Sequence, residues 1–221
     1  MIIQVDPYIY AEADRAVWLP EPRTNDNWIQ TYTGRQFWPL NPRAEEIFIE
    51  DIAHALSLVC RYTGHSREFY SVAEHSVRVS FAAQNLYLKA DPSPGRYQRA
   101  RTVALCGLLH DASEAYIADV SRPVKHSATF GPIYKAIEAN LECQINRRFK
   151  LPANLPLVKK ADDHLLATEK RDLMGPPPRT WSFRAPALEY KIEPWSPVQA
   201  EQVFLYRFHA LNSARDLATL A

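Results

Sequence analysis

A histidine and an aspartate directly follow an apolar run near the middle of the chain. Leu105, Leu108 and Leu109 lead into His110 and Asp111. A carboxylate that is buried without a partner is costly, so a pair at this position requires a salt bridge, a shifted pKa or a bound metal ion. Taken alone, such a pair is more often an ordinary core histidine whose hydrogen bonds are satisfied.

Two carboxylates follow the pair at short spacing. Glu114 lies four residues after His110, and Asp119 lies nine residues after it. If the helix continues, His110 and Glu114 lie on the same side, because residues four apart are neighbours on a helix surface. The spacing therefore predicts that a ligand and an acid/base candidate share one pocket.

Two further helical segments carry a polar residue inside an apolar stripe. His75 lies in the stripe of residues 71–90, and Asp162 faces the same way as the stripe of residues 157–174. The apolar positions are Val72, Val79, Ala82, Ala83 and Leu86 in the first segment and Val158, Leu165 and Leu166 in the second. Asp163 points about 100° away from Asp162, so Asp162 is the predicted ligand.

The four polar residues from three predicted helices are suited to a metal ion. They are His75, His110, Asp111 and Asp162. Two neutral imidazoles and two carboxylates suit a divalent first-row metal and leave coordination positions open. Such a metal can lower the pKa of a bound water and polarise a phosphoryl oxygen, which favours hydrolysis at neutral pH.

The same residues resemble a known family. His75, His110-Asp111 and Asp162 are similar to the H…HD…D signature of the HD-domain metal-dependent phosphohydrolases. The run 110–114, Asp119 and residues 122–125 resemble the bacterial 5′-deoxynucleotidases of the YfbR type, as do residues 73–76 and 158–162. The phage dATP triphosphohydrolases of the DatZ group share this skeleton. The resemblance covers roughly residues 35–174.

The resemblance implies an all-α fold and a metal cofactor. The expected fold is an HD-domain helical bundle with proline- and tryptophan-rich segments that are not helical. The expected cofactor is a divalent ion (Co, Mn, Fe, Ni or Zn), with room for a second metal. Because members of the family often dimerise, a homodimer or higher homo-oligomer is also expected.

The resemblance also assigns substrate contacts. The counterpart of Lys125 faces the substrate phosphate, and Arg122 could act in the same way; a solvated lysine is the alternative. In the family an arginine directly precedes a tryptophan, whereas here Phe37 precedes Trp38 and Arg35 stands three residues before that tryptophan. We expect Trp38 or Phe37 against a base or deoxyribose and Arg35 on a phosphate. The alternative is an aromatic packing cluster with a solvated arginine.

The rest of the sequence predicts the helices on which these residues lie. Apolar periodicity predicts helices over 44–61, 71–90, 96–109, 132–148, 157–174 and 198–218. On the fourth, Ile133, Ile137, Leu141 and Ile145 are expected to face inward, with Glu138, Glu142, Arg147 and Arg148 solvated. Pro123 predicts a loop over 120–126, and Glu169 and Asp172 are expected to form ordinary salt bridges or caps.

We predict one domain, 1–221, with its helical core at about 44–174 and with 1–43 and 175–221 packed on it; the tryptophans of these two segments could form a lid.

The composition of the chain argues against several classes of protein. The chain has 221 residues, 47% of them hydrophobic, and a formal charge of +1. A polynucleotide binder normally has a basic excess, so a small nucleotide is the expected partner. We expect neither a membrane span nor export, because there is no apolar stretch of about 18 residues and no leader pattern. Cys60, Cys106 and Cys143 are read as reduced, buried thiols of a cytoplasmic protein.

The predicted activity is a metal-dependent 5′-nucleotidase that acts on (deoxy)nucleoside monophosphates. We expect Glu114 to act as the general base or to orient the attacking water. A protonated group, Asp119 or a water, is expected to assist the leaving 5′ oxygen; Asp119 could instead hold the sugar 3′-hydroxyl or orient Lys125. The first alternative is a dATP/dNTP triphosphohydrolase. A di-iron oxygenase would need extra ligands, for which His65, His126 and His164 are available, and a non-catalytic HD interaction module usually lacks part of the metal set.

Overall fold

The computed structural model describes residues 20–153 and 155–218, with side chains as far as residue 213. Its helices are α1 Ile49–Leu58, α2 Val72–Ala90, α3 Arg96–Leu109, α4 Glu114–Ile117, α5 Arg122–Lys125, α6 Gly131–Phe149, α7 Pro156–Leu173 and α8 Pro197–Ala218. Two 3₁₀ turns, Ala44–Glu46 and Arg61–Gly64, flank α1, and a short antiparallel hairpin pairs β1 Ile29–Gln30 with β2 Gln36–Phe37. The predicted all-α helical bundle is confirmed.

The antiparallel pair of α2 and α3 forms the centre of the bundle. The backbones approach closely at Gly107, where an added Cβ would lie 3.1 Å from Ser80 Cα. The Ser80 hydroxyl donates to the Ala104 carbonyl oxygen at 2.7 Å across the same contact. Helices α7 and α8 pack against α2 and α3 as well. This packing brings His75 on α2, His110 after α3 and Asp162 on α7 to one region.

Helix α3 ends at Leu109, as predicted, and does not continue through the His-Asp pair. Beyond Leu109 the backbone hydrogen bonds span three residues, as from the Glu114 N–H to the Asp111 carbonyl oxygen at 3.0 Å. This tighter winding turns Glu114 relative to His110, so the condition under which the two residues would share one side, a continuous α-helix, is not met. The short α4 then ends at Ala118, whose φ of 62° lies in the left-handed region.

Three other helix predictions require correction. The segment around Pro123 contains the one-turn helix α5 rather than only a loop, because proline is tolerated in the first turn of a helix. The first predicted helix is divided, since Ile47 and Phe48 are extended between the 3₁₀ turn and α1. Ile133 is 54% exposed, whereas Tyr134, Leu141 and Ile145 form the buried face of α6.

The two proline-rich segments are not helical, as predicted, where the structure describes them. Arg23 binds Glu46 at 2.6 Å and so ties the first segment to the bundle. Trp18 and the rest of residues 1–19 lie outside the described residues. The tryptophan lid stays a prediction, and the described tryptophans have separate partners: Asn25 for Trp28, Arg23 for Trp38, Tyr62 and Phe183 for Trp181, and Arg78 for Trp195.

The buried side chains of the last helix belong to the same hydrophobic cluster as those of α1 to α3. Phe204, Phe208 and Leu211 are each at most 5% exposed. The assignment of one domain to residues 1–221 stays a prediction. Within the described residues no helix is long and apolar enough to cross a membrane. Cys106 is buried, whereas Cys60 and Cys143 are half-buried.

Candidate metal centre

His75 is fully buried on α2 with its imidazole oriented by a carboxylate. Its Nδ1 lies 2.5 Å from Glu169 Oε1. Because an ionised carboxylate only accepts hydrogen bonds, Nδ1 carries the proton and the lone pair lies on Nε2. The contact therefore aims an unprotonated nitrogen at the centre of the cluster.

His110 is held in the same way by the backbone. Its Nδ1 donates to the carbonyl oxygen of Gly107 at 2.9 Å. The Nε2 atoms of His75 and His110 lie 3.3 Å apart and face each other. With both Nδ1 atoms protonated, two neutral imidazoles would direct lone pairs at each other, so this contact requires a positive charge, either a proton on Nε2 of His75 or a metal cation.

Two carboxylates converge on the same point. Asp111 Oδ2 lies 3.2 Å from His110 Nε2 and 3.6 Å from His75 Nε2, and Asp162 Oδ1 lies 3.4 Å from His75 Nε2. Lone pairs and negative charges at this spacing repel one another unless a cation lies among them. His75, His110 and Asp111 thus form a cluster that could hold a metal ion, and the donor set fits one.

The pKa shifts of the cluster residues also indicate a site for a cation. Burial and the Arg61 charge oppose protonation of His75, but Glu169 and Asp162 outweigh them and raise its pKa to about 9. Burial opposes ionisation of Asp111, but His110, His75 and Arg61 outweigh it and lower the pKa of that carboxyl. The protein therefore attracts positive charge to this point, which a metal cation can supply in place of a proton.

Glu169 has a role in this site that the sequence analysis did not assign. It is fully buried, and it accepts hydrogen bonds from His75 and from the Tyr62 hydroxyl at 2.5 Å. Glu169 forms the predicted salt bridges, with Arg61 and with His75, and Asp172 pairs with Arg171 at 2.7 Å; the contact of Glu169 with a predicted metal ligand was not foreseen. The signal was present, since Glu169 lies seven residues after Asp162 and thus on the same face of α7.

Arg61 also belongs to the site and was missed. Its Nη1 lies 3.4 Å from Asp111 Oδ2, and its Nε lies 3.4 Å from Glu169 Oε2. It belongs to the turn Arg61–Gly64, in which Tyr62 and Thr63 have φ values of 56° and 53°. A side chain on such an irregular turn has no periodicity in the sequence that would reveal its direction.

Glu114 and Lys125 form an ion pair beside the cluster. Lys125 Nζ lies 3.0 Å from Glu114 Oε1 and 3.2 Å from Glu138 Oε1. Glu138, which was expected to be solvated, is half-buried and is the second partner of Lys125. The solvated-lysine alternative for Lys125 is excluded by the same two contacts.

Glu114 itself is 4% exposed and only partly hydrogen-bonded. Its Oε2 is buried and has no hydrogen-bond partner among the described residues. Burial and the charges of Asp111 and Asp119 raise the pKa of Glu114 to about 8, against the opposing effect of Lys125 and Arg61. Burial also raises the pKa of the half-buried Asp119.

The predicted substrate strip packs differently from the expectation. Phe37 is fully buried and stacks on Tyr116, with ring centroids 4.1 Å apart. Its assignment as a substrate contact is therefore wrong, since no ligand can reach the ring. Trp38 donates to the Thr24 carbonyl oxygen at 3.1 Å, and the Arg35 guanidinium lies 3.8 Å from the centre of the Phe48 ring.

The remaining predicted residues lie on other surfaces. Arg122 is exposed on α5. His126 and His164 direct Nδ1 to the carbonyl oxygens of Arg122 and Pro186, and His65 is exposed. These contacts give no support to a second set of histidine ligands.

Replacement of Glu169 should destabilise the fold in a pH-dependent way. Although burial opposes ionisation, Arg61 and His75 lower the pKa of Glu169 from 4.5 to about 2. The ionised carboxylate therefore stabilises the fold above pH 4.5, and this contribution is lost as the pH falls towards 2. We expect Glu169→Gln to lower the free energy of unfolding of metal-stripped protein by about 3 kcal/mol at pH 7, and the deficit to shrink below pH 4.5.

Urea denaturation at a series of pH values measures this effect. Glu50→Gln, which removes an exposed carboxylate on α1, is the matched control and should behave as wild type. A deficit for Glu169→Gln that stays constant from pH 7 to pH 3 would contradict the role of the ionised carboxylate.

Comparison with known proteins agrees with this geometry. The family described as 5′-deoxynucleotidase YfbR-like matches residues 45–163, which include the whole cluster. Protein YfdR of Escherichia coli (strain K12) is 33% identical over 196 residues, which are 87% of this chain and 99% of YfdR. A protein of Rhodobacter capsulatus is 36% identical over 155 residues, which are 67% of this chain and 74% of that protein.

Relatives named as 5′-deoxynucleotidases match over a shorter range. The 5′-deoxynucleotidase YfbR of Shigella flexneri is 38% identical over 69 residues, which are 31% of this chain and 35% of that enzyme. The family match covers more than half of the chain, and YfdR aligns over nearly its whole length. The chain therefore belongs to the YfbR-like 5′-deoxynucleotidase family and is a phosphohydrolase that acts on nucleotides.

Proposed function

We propose that this protein is a metal-dependent 5′-nucleotidase that releases inorganic phosphate from deoxynucleoside monophosphates. The observation that carries the proposal is the pair of facing Nε2 atoms of His75 and His110, 3.3 Å apart and bordered by Asp111 and Asp162. The name of the Shigella flexneri relative supports a deoxynucleotide as the substrate.

The ligands of the metal would be His75, His110, Asp111 and Asp162. When bound, a divalent ion such as Co, Mn, Fe, Ni or Zn neutralises charge on a phosphate oxygen and makes water more acidic. Glu169 and the Gly107 carbonyl keep the two imidazoles in the tautomer that offers Nε2. In the net reaction water adds to phosphorus, and the bond from phosphorus to the 5′ oxygen breaks.

Glu114 is the proposed general base. Its buried Oε2 accepts the proton of the attacking water, while Lys125 holds Oε1 at 3.0 Å and fixes the side chain. A pKa of about 8 lies near the working pH, where a general base is most effective. Lys125 also places a positive charge beside the site, which stabilises negative charge that develops on the phosphoryl group.

Asp119 is the proposed proton donor to the 5′ oxygen. Burial raises the pKa of its carboxyl, so that it retains a proton more readily than an exposed aspartate. Arg122, exposed on α5 near Lys125, and Arg35 remain proposed contacts of the phosphate, and Trp38 remains a proposed contact of the deoxyribose.

The proposal is tested by the products that the metal-loaded protein forms from a panel of nucleotides. The panel contains ribo- and deoxynucleoside mono-, di- and triphosphates, with the phosphorus products identified by ³¹P NMR. We expect orthophosphate from deoxynucleoside monophosphates and a loss of about 10²- to 10⁴-fold in kcat for Glu114→Ala. Tripolyphosphate from dATP, without orthophosphate from monophosphates, would contradict the proposal and identify a triphosphohydrolase.

Two controls separate chemistry from folding in this test. Glu50→Ala removes an exposed carboxylate of α1 and should leave kcat unchanged. Glu114→Ala should still bind the metal and should unfold at a temperature close to that of wild type, because Glu114 is not among the four proposed ligands. If its low activity is accompanied by loss of the metal, Glu114 does not act as the base.

The pH profile tests the coupling between Glu114 and Lys125. The positive charge of Lys125 lowers the pKa of Glu114, and a general base must be unprotonated to act. Lys125→Met should therefore raise the pKa of Glu114 and move the acidic limb of the kcat/KM profile to higher pH.

Arg43→Met, which removes an exposed cation near the start of the 3₁₀ turn Ala44–Glu46, is the control for the change in net charge. It should leave the acidic limb in place. A limb that is unmoved in Lys125→Met, or that shifts to lower pH, would argue against Glu114 as the titrating base.

A further inference from the structure

We infer that a cavity between α3, α6 and α7 is the binding site for the nucleobase of the substrate. This inference rests on the proposed function, because it assigns the reacting phosphate to the cluster of His75, His110, Asp111 and Asp162. The cavity has a volume of about 410 Å³ and is open to solvent on one side. Sites for small ligands commonly have volumes of about 300–1,000 Å³.

The cavity begins at the metal cluster itself. His110 and Asp162 form part of its wall. A nucleotide whose 5′ phosphate lies at the cluster can thus extend its sugar and base into the cavity without crossing another element of the fold. Neither Glu114 nor Lys125 lines the cavity, so the base and the proposed proton acceptor do not compete for the same space.

Most of the wall is apolar and suits a planar ring. Leu109, Ile145, Leu155 and Val158 line it from three helices or their ends, together with Pro152 and Pro156. Leu109, Ile145 and Val158 are buried residues of the hydrophobic core, so this wall is held in place by packing. A heteroaromatic ring in such a slot loses water from both faces, which is the main favourable term for its binding.

Two polar side chains stand one turn apart on the same wall. Glu142 and Asn146 both lie on α6 and both line the cavity, and residues four apart on a helix are neighbours. The carboxylate accepts a hydrogen bond, and the amide can donate or accept one. Nucleobase edges carry donors and acceptors side by side, which this pair can meet.

The cavity also contains a residue that reports on its occupancy. Cys106 lines it and is 9% exposed. Cys60 and Cys143 do not line the cavity. A molecule bound in the cavity should therefore slow modification of Cys106 by a small thiol reagent and leave the other two cysteines unaffected.

The first test compares substrates with and without a base. Leu155→Trp should fill the cavity and lower kcat/KM for dAMP at least tenfold, equivalent to about 1.4 kcal/mol, while the loss with 2-deoxyribose 5-phosphate stays below about threefold. Glu142→Gln should reduce kcat/KM for dAMP in the same selective way. The matched controls are Leu58→Trp and Glu50→Gln, at exposed positions of α1. Equal losses on both substrates would overturn the inference.

The second test does not depend on hydrolysis. Deoxyadenosine, which carries no phosphate, should protect Cys106 from iodoacetamide, as measured by peptide mass analysis, and inorganic phosphate should not. Absence of protection by deoxyadenosine at saturating concentration would overturn the base site. If wild type releases phosphate from neither dAMP nor 2-deoxyribose 5-phosphate while Cys106 is protected, the proposed reaction fails and the base site stands.

Discussion

Two imidazole Nε2 atoms that face each other at 3.3 Å set the main constraint on this fold. Each ring is oriented by a hydrogen bond at its Nδ1, which His75 makes to the Glu169 carboxylate and His110 makes to the Gly107 carbonyl oxygen. The arrangement is favourable only with a cation between them, and the close approach of α2 and α3 at Gly107 brings the two rings together. The helices that form the core thus also define the chemistry of the site.

The site balances buried carboxylates with two bridging cations. Arg61 lies between Asp111 and Glu169, and Lys125 lies between Glu114 and Glu138. Each cation satisfies two acids that would otherwise raise one another's pKa. This arrangement leaves Oε2 of Glu114 without a partner among the described residues. The atom lies beside the cluster of His75, His110 and Asp111 that requires a cation. A proton acceptor and a cation site are therefore adjacent but separately stabilised.

The sequence revealed the parts of this design that follow helical periodicity. His75 and Asp162 stood out because each interrupts an apolar stripe, and α2, α3 and α7 were predicted to within one or two residues. Arg61 could not be found, because its direction depends on a turn with left-handed backbone. Glu169 could have been found from its spacing to Asp162.

Predictions from the sequence failed at residues whose tertiary contacts override the preference of the local sequence. The winding beyond Leu109 tightens although Ala112, Ser113 and Glu114 do not forbid a continuous α-helix. Phe37 looked like a ligand contact from its neighbours in the chain, but it stacks on Tyr116 in the core. The position of Glu138 on α6 suggested a solvated side chain, but its carboxylate pairs with Lys125. Such pairings join residues that are distant in sequence or lie across loops, so no single segment contains the information.

The most direct test of the account is a calorimetric titration of Co²⁺ into chelator-treated protein, with phosphate release from a deoxynucleoside monophosphate measured on the same samples. The account predicts that wild type binds Co²⁺ tightly, that His110→Ala loses this binding, and that phosphate release rises in proportion to the bound ion. Full hydrolysis by the metal-stripped protein, or undiminished binding by His110→Ala, would contradict it.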